Sequence, residues 1–325
     1  MRSARRSSRA RKNASIRRAK SLRLFIIALA VISLILAGLY MSFFRGCYSS
    51  SENAPQIVAD SEPPNDGMPG PTATNPETAN RHDDKPKFET LSFPASSPSP
   101  ARVVKLPILM FHHTGQPPAG ADELRVGLTV STADLEAQIG YLKQAGYQPV
   151  SETQLFHALF EGGALPSKPV MLTFDDGYID NFEVAAPILQ KYGFPATFYI
   201  ITEKVGTPEY MSWDQIAELD RRGMDIGSHT ASHLDLTTLS AADLRKELAG
   251  SAETLKPKLG HPVYWLCYPA GKYDADVIKY SREGGYLLAT STKPGEQQSS
   301  DEPFALLRYR VRSDTGLEGF MELVR

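Results

Sequence analysis

Asp175 and Asp176 stand side by side in Thr173-Phe174-Asp175-Asp176-Gly177, and His229 and His233 stand four apart in Ser228-His229-Thr230-Ala231-Ser232-His233. One carboxylate and two imidazoles can hold a divalent cation while leaving positions open for water, and a second carboxylate is then free to take a proton. The chemistry this points to is metal-assisted hydrolysis. Each pair also has a plainer use. Asp before Gly commonly closes a strand or caps the next helix, and two His at i and i+4 can share the first turn of a helix. On a helix that spacing puts both rings on one face, about 5 to 6 Å apart at Cβ, close enough to share one ion. With a cation on Asp176, His229 and His233, a bound water is acidified toward a pKa of about 7 and Asp175 can accept its proton. Side chains at i and i+1 point different ways, so adjacent aspartates can take separate roles.

The elements that must position these residues are short apolar runs alternating with amphipathic stretches from Ala101 onward, which indicates a parallel α/β domain rather than a β-sandwich. Strands are expected at Leu106 to Phe111, Pro169 to Phe174, Ala196 to Ile201, Met224 to Gly227, Val263 to Cys267, Tyr286 to Thr290 and Leu307 to Val311. Leu135, Ile139 and Leu142 give helical spacing to Thr132 through Ala145, closed by Gly146, and Ser212 and Ser240 are expected amino-terminal caps of two further helices. The expected architecture is a distorted (β/α) barrel of about seven strands, in which active residues gather at the carboxyl ends of strands. Both motifs lie at such ends.

The amino-terminal hundred residues read differently. Residues 1–23 form a basic tail with ten Lys or Arg and no acid, and residues 24–44 follow as 21 uncharged, apolar positions between Arg23 and Arg45. At helical rise that run spans roughly 31 Å, the thickness of a bilayer core, and it exceeds a signal-peptide core and lacks a following cleavage site. A retained transmembrane signal anchor is expected, with the basic tail in the cytoplasm and the remainder outside the inner membrane. Residues 45–100, rich in Ser, Pro, Asn and Thr, read as a disordered linker, and residues 101–325 as the catalytic domain. Beyond Arg45 there are 24 Lys and Arg against 37 Asp and Glu, so the exported part is acidic, which argues against nucleic acid as a partner. Two cysteines, Cys47 and Cys267, do not make a disulfide framework.

On the paired motifs, the chain from about Lys105 onward resembles the polysaccharide deacetylases with a NodB homology domain, carbohydrate esterase family 4. The resemblance implies a hydrolase that removes acetyl groups from N-acetylated amino sugars of a polysaccharide such as one with N-acetylglucosamine units. It implies Asp175 as base and Asp176, His229 and His233 as ligands of a divalent metal, most simply zinc, with cobalt, nickel or iron as alternatives. The family's third motif, an Arg followed by Pro, Pro and Tyr, stands here as Cys267-Tyr268-Pro269-Ala270-Gly271. The Ala270 N–H can still serve as the oxyanion donor that the family takes from its Tyr. The base-orienting Arg is missing, and Arg308 or Arg310 is the candidate replacement. No His follows His261, whereas the family places a general acid near its carboxyl end. Leu106 through His113 resembles the first strand of the permuted biofilm poly-N-acetylglucosamine deacetylases, which implies His112 as acid, ahead of His113. Tyr268, Pro269, Trp213 and Arg308 are candidate substrate contacts, with Tyr178 and Tyr210 as further aromatics. His82, His157 and His261 are read as structural.

Two other readings fit the same residues. An iron oxygenase would use two His and one carboxylate, with His233-Leu234-Asp235 as its His-x-Asp. A glycan-binding scaffold could keep the metal site without activity, though a scaffold has no need of the base Asp175.

Overall fold

The computed structural model describes residues 90–325. The basic tail, the expected membrane span at 24–44, His82 and the linker as far as residue 89 lie outside the described residues. Among the described residues no helix is long and apolar enough to cross a membrane.

Seven parallel strands form the central sheet: β1 (Ile108–Phe111), β2 (Pro169–Phe174), β3 (Thr197–Ile200), β4 (Asp225–Ser228), β5 (Trp265–Cys267), β6 (Leu288–Thr290) and β7 (Tyr309–Arg310). Their spatial order is β6-β5-β4-β3-β2-β1-β7, with the short strand Gln148–Pro149 paired beside the start of β2. Each lies within a run expected to be a strand, or overlaps its end by one residue, because a strand buried on both faces reads as continuous apolar sequence. The sheet curls, and the chain between β6 and β7 joins its two edges. Leu306 donates to the Ala289 carbonyl, Ser291 to the Leu306 carbonyl and Arg308 to the Lys293 carbonyl, each at 2.9 Å.

Strand alternation divides the apolar residues into two cores. Ile108, Met171, Tyr199, Trp265 and Leu288 point inward and pack with Phe156 and Leu159 from the helix Glu152–Phe160. Leu109, Phe111, Leu172, Phe174, Phe198, Ile226 and Leu266 point outward, under the surrounding helices. The helix Thr132–Gln144 adds Leu135, Ile139 and Leu142 to that outer core, and Ser131 caps it. Ser212 and Ser240 cap the helices Trp213–Arg221 and Ala241–Leu259. Gly227 faces inward where a Cβ would lie 2.4 Å from the Tyr199 ring, so β4 needs glycine there.

Leu91 is buried in the inner core and Phe93 packs edge-on to Phe160 at 5.1 Å between centroids, so packed structure begins ten residues before Ala101, inside the segment read as linker. That stretch is Ser- and Pro-rich, and two large apolar residues, Leu91 and Phe93, do not alter its composition.

Candidate active site

The inward register of β2 runs Met171, Thr173, Asp175, and so carries the Asp175 carboxylate into the open carboxyl end of the barrel. The chain then turns sharply. Asp176 has a left-handed φ of 75° and Gly177 one of 79°, which swings the second carboxylate away from the first. The inward register of β4 likewise ends on His229. Two adjacent aspartates therefore face different partners.

Asp176 Oδ1 lies 3.3 Å from His229 Nε2 and 3.5 Å from His233 Nε2. The two imidazoles do not share a helix face. Residues 229–233 form a loop in which Thr230 and His233 both have left-handed φ, 67° and 63°, and this folds the second ring back to 4.7 Å from the first. The loop is held by its own hydrogen bonds. His233 N–H donates to Thr230 Oγ1 at 3.1 Å, Thr230 N–H to Ser228 Oγ at 3.1 Å, and Ser232 N–H to Glu247 Oε2 at 2.8 Å. His229 Nδ1 donates to the Cys267 carbonyl at 2.7 Å, which aims Nε2 at Asp176. One carboxylate oxygen and two imidazole nitrogens within 4.8 Å of one another fit a divalent cation with open positions left over. Burial would raise the Asp176 carboxyl, but the His229 hydrogen bond and the surrounding imidazoles outweigh it and hold the group well below the usual carboxylate range.

Asp175 is held by a different partner. Arg308, fully buried, donates Nη1 to Oδ1 at 2.7 Å and Nη2 to Oδ2 at 2.8 Å, a two-pronged pair. The same guanidinium donates to Thr173 Oγ1 at 3.0 Å and to the Ser291 carbonyl at 2.9 Å, so its direction is fixed. Its Nη2 also lies 3.1 Å from Cys267 Sγ. Thus the small thiol on β5 borders the guanidinium that reaches Asp175 from the edge of β7. Burial pushes the Asp175 carboxyl up, and the Arg308 charge more than offsets it. Arg308 is thereby corrected from a substrate contact to the partner of Asp175.

A cleft of about 560 Å³ opens above these groups, lined by His112, Asp175, Asp176, His229, His233 and Ala270 together with Tyr178, Tyr210, Lys204 and Arg310. His112, at the end of β1, has its carbonyl held by the Asn181 side-chain amide at 2.7 Å. Burial, only partly opposed by the charges of Asp175 and Asp176, pushes its imidazole down to about 4. His113 turns away instead. Its Nδ1 pairs with Asp180 at 2.9 Å and its ring stacks on Tyr178. Ala270 adopts a left-handed φ of 53° on the cleft wall, which faces its backbone differently from the surrounding turn.

Four other expected positions fall elsewhere or play other parts. Trp213 packs at the outer core beneath Lys258 and does not line the cleft, because its helix lies behind the sheet. Tyr268 reaches the cleft wall but is fully buried, its ring stacked on Tyr273 at 4.9 Å, and Pro269 is buried beside it. Asp235 pairs with Lys272 at 2.6 Å and caps Thr237, so the Asp of the His-x-Asp reading is not among the groups gathered at His229 and His233. Sequence reasoning did not single out Lys204 or Thr292, because neither carries a motif and both reach the cleft only through the turns after β3 and β6.

Residues 162–289 match the family model described as "Polysaccharide deacetylase". The chain is also 32% identical over 215 residues to the Bacillus subtilis (strain 168) protein YxkH, a polysaccharide deacetylase by name, covering 66% of this chain and 74% of that one. The chain belongs to the polysaccharide deacetylase family. As a member it is a hydrolase acting on amide bonds. It is similar to the Streptococcus pyogenes deacetylase PplD, solved in complex with acetate, with a TM-score of 0.63 and 29% identity over 69% of this chain and 100% of that one. It is 37% identical over 119 residues to the poly-beta-1,6-N-acetyl-D-glucosamine N-deacetylase of Escherichia coli (strain K12), but that match spans 32% of this chain and 18% of the relative.

Proposed function

We propose that this polysaccharide deacetylase is metal-dependent, that it removes acetyl groups from N-acetylglucosamine units, and that it works outside the inner membrane, anchored through residues 24–44. The observation that carries the reading is the division of the two aspartates, with Asp176 facing His229 and His233 and Asp175 clamped by Arg308. The sugar is supported by the relative named for poly-beta-1,6-N-acetyl-D-glucosamine.

Asp176, His229 and His233 would hold the cation. When bound, it supplies Lewis acidity that activates water and polarises the acetyl carbonyl. Asp175 takes the proton of the attacking water as the new C–O bond forms. Arg308 keeps that carboxylate ionised and aimed, since a base ready at neutral pH must begin without its proton. The Ala270 N–H donates to the carbonyl oxygen as negative charge gathers there. Asp175 passes that proton to His112, neutral at rest, which delivers it to the sugar nitrogen as the C–N bond breaks. Acetate and a free amine leave, and the Lys204 and Arg310 cations line the exit for the anion.

The test is acetate release by the full chain from N-acetylglucosamine oligomers and from peptidoglycan, with and without a chelator. Chelation should abolish release and added divalent metal should restore it. Metal-independent release would sink the metal reading, and release from neither substrate would sink the sugar assignment.

A further inference from the structure

The loop that carries His233 is gripped by one face of the helix Ala241–Leu259. Glu247 and Ser251 stand four apart on that helix, hence one turn apart on one face, and both are buried. The Glu247 backbone carbonyl accepts from Ala231 N–H at 3.1 Å, its Oε2 from Ser232 N–H at 2.8 Å, and its Oε1 from the Ser232 hydroxyl. Ser251 Oγ meets Ser228 Oγ at 2.7 Å, and the same Ser228 oxygen accepts from Thr230 N–H at 3.1 Å. On its other side the loop meets the turn Thr202–Lys204. There Thr202 N–H donates to the Thr230 carbonyl at 3.2 Å and Glu203 N–H to the Ala231 carbonyl at 2.9 Å. Resting on the metal site proposed above, we infer that Glu247 is a positioning residue for that site, holding the loop in the shape that brings His233 to Asp176.

The two imidazoles differ in their need of such help. His229 directly follows β4 and is tied through Nδ1 to the Cys267 carbonyl, so the sheet itself places it. His233 is separated from the strand by a loop in which Thr230 and His233 both hold left-handed backbone without glycine. L side chains populate that region rarely, and such a loop keeps its shape only where its surroundings over-determine it. Glu247 supplies that constraint at Ser232, the residue next to His233. Its two oxygens take the N–H and the O–H of one residue, which fixes Ser232 in rotation as well as in place. The carboxylate is also an expensive choice. Among the described residues no Lys, Arg or His pairs with Glu247, so it is buried without a cation. Packing alone would be served better by an apolar side chain, since an unpaired buried charge costs more than it returns. A group that must accept an N–H and an O–H together accounts for the carboxylate.

The test is the zinc affinity of the metal-stripped full chain, measured by competition with a chromogenic chelator. The proteins compared are the wild type, Glu247→Ala, Glu247→Gln, His233→Ala and the double variant Glu247→Ala with His233→Ala. Partners that orient a metal ligand from behind are worth at least about tenfold in affinity, so Glu247→Ala should bind zinc about tenfold more weakly than wild type. Glu247→Gln still offers an oxygen to the Ser232 N–H and an amide to its hydroxyl, and should recover most of that loss. Because Glu247 acts through His233, the double variant should bind zinc no worse than His233→Ala alone. Wild-type affinity in Glu247→Ala overturns the positioning role, as do losses that simply add in the double variant, which would mark a general loosening of the fold. Glu247→Gln as weak as Glu247→Ala overturns it too, since charge rather than grip would then matter. Should Glu247→Ala fail to fold, Ser232→Ala decides. It removes one prong of the grip, and weaker zinc binding supports the role while unchanged binding overturns it. A wild type that binds no zinc overturns the metal reading itself and the positioning role with it.

Discussion

The two halves of the active site are built in opposite ways. The half proposed to hold a cation is local, since Asp176, His229 and His233 come from two turns, each within a few residues of a strand end, and His233 remains partly open to solvent. The half proposed to supply the base is assembled over long range, with Asp175 just after β2 clamped by Arg308 from near the carboxyl end of the chain and the pair sealed inside the barrel. A cation site can be carried by short turns because the cation itself organises its donors. A bare carboxylate needed at a fixed angle has no such organiser, and the fold must supply a buried cation to hold it.

That contrast can be broken at several points. Asp175→Asn should remove most of the activity, roughly 10² to 10⁴ in kcat/KM, and should also lower thermal stability because Arg308 is left buried without its counterion. Loss of activity with an unchanged Tm would mean that the pair is not a structural unit. Arg308→Met should cost about 3 to 5 kcal/mol in denaturant unfolding for the mirror reason, and combining it with Asp175→Asn should recover part of that loss. His233→Ala sharpens the other half. Metal analysis should find the protein depleted, while the metal-free variant melts close to the metal-free wild type, because the ring it loses is partly exposed.

The far end of β4 gives a smaller effect. Asp225 is half-buried, accepting from the backbone N–H of Glu152 at 3.3 Å, and burial pushes its carboxyl up to about 6. A carboxyl raised in the folded state favours the protonated protein. Stability is therefore greatest below the unfolded pKa near 4 and falls by about 3 kcal/mol as pH rises through 6. Asp225→Asn should remove this slope, giving a higher Tm than wild type at pH 8 and the same Tm near pH 4. A wild type whose Tm is flat between pH 4 and 7 would contradict it.

The legibility of the sequence follows the same division. All seven strands could be read because strands buried on both faces are continuous apolar runs, and the caps at Ser212 and Ser240 could be read from their polar spacing. The strand-end positions of the two motifs could be read too, since alternation along β2 and β4 leads directly to Asp175 and His229. The loop that folds His233 back could not. Thr230 and His233 hold left-handed backbone without glycine, so composition gives no sign of it, and i, i+4 spacing suggests a helix instead. Arg308 was visible only as one of two candidate arginines, because its role depends on closure of the barrel edges through residues 303–308. Trp213 misled because an aromatic near a strand end looks the same whether its helix faces the cleft or the outer core.

The most direct measurement is kcat for Arg308→Lys, taken together with its metal content. Lysine keeps the charge but loses the two-pronged grip on both oxygens of Asp175. If the buried arginine aims the base, the variant retains full metal while kcat falls at least about tenfold, or roughly 1.4 kcal/mol of transition-state stabilisation. Wild-type kcat in a fully metallated Arg308→Lys would contradict the long-range assembly of the base.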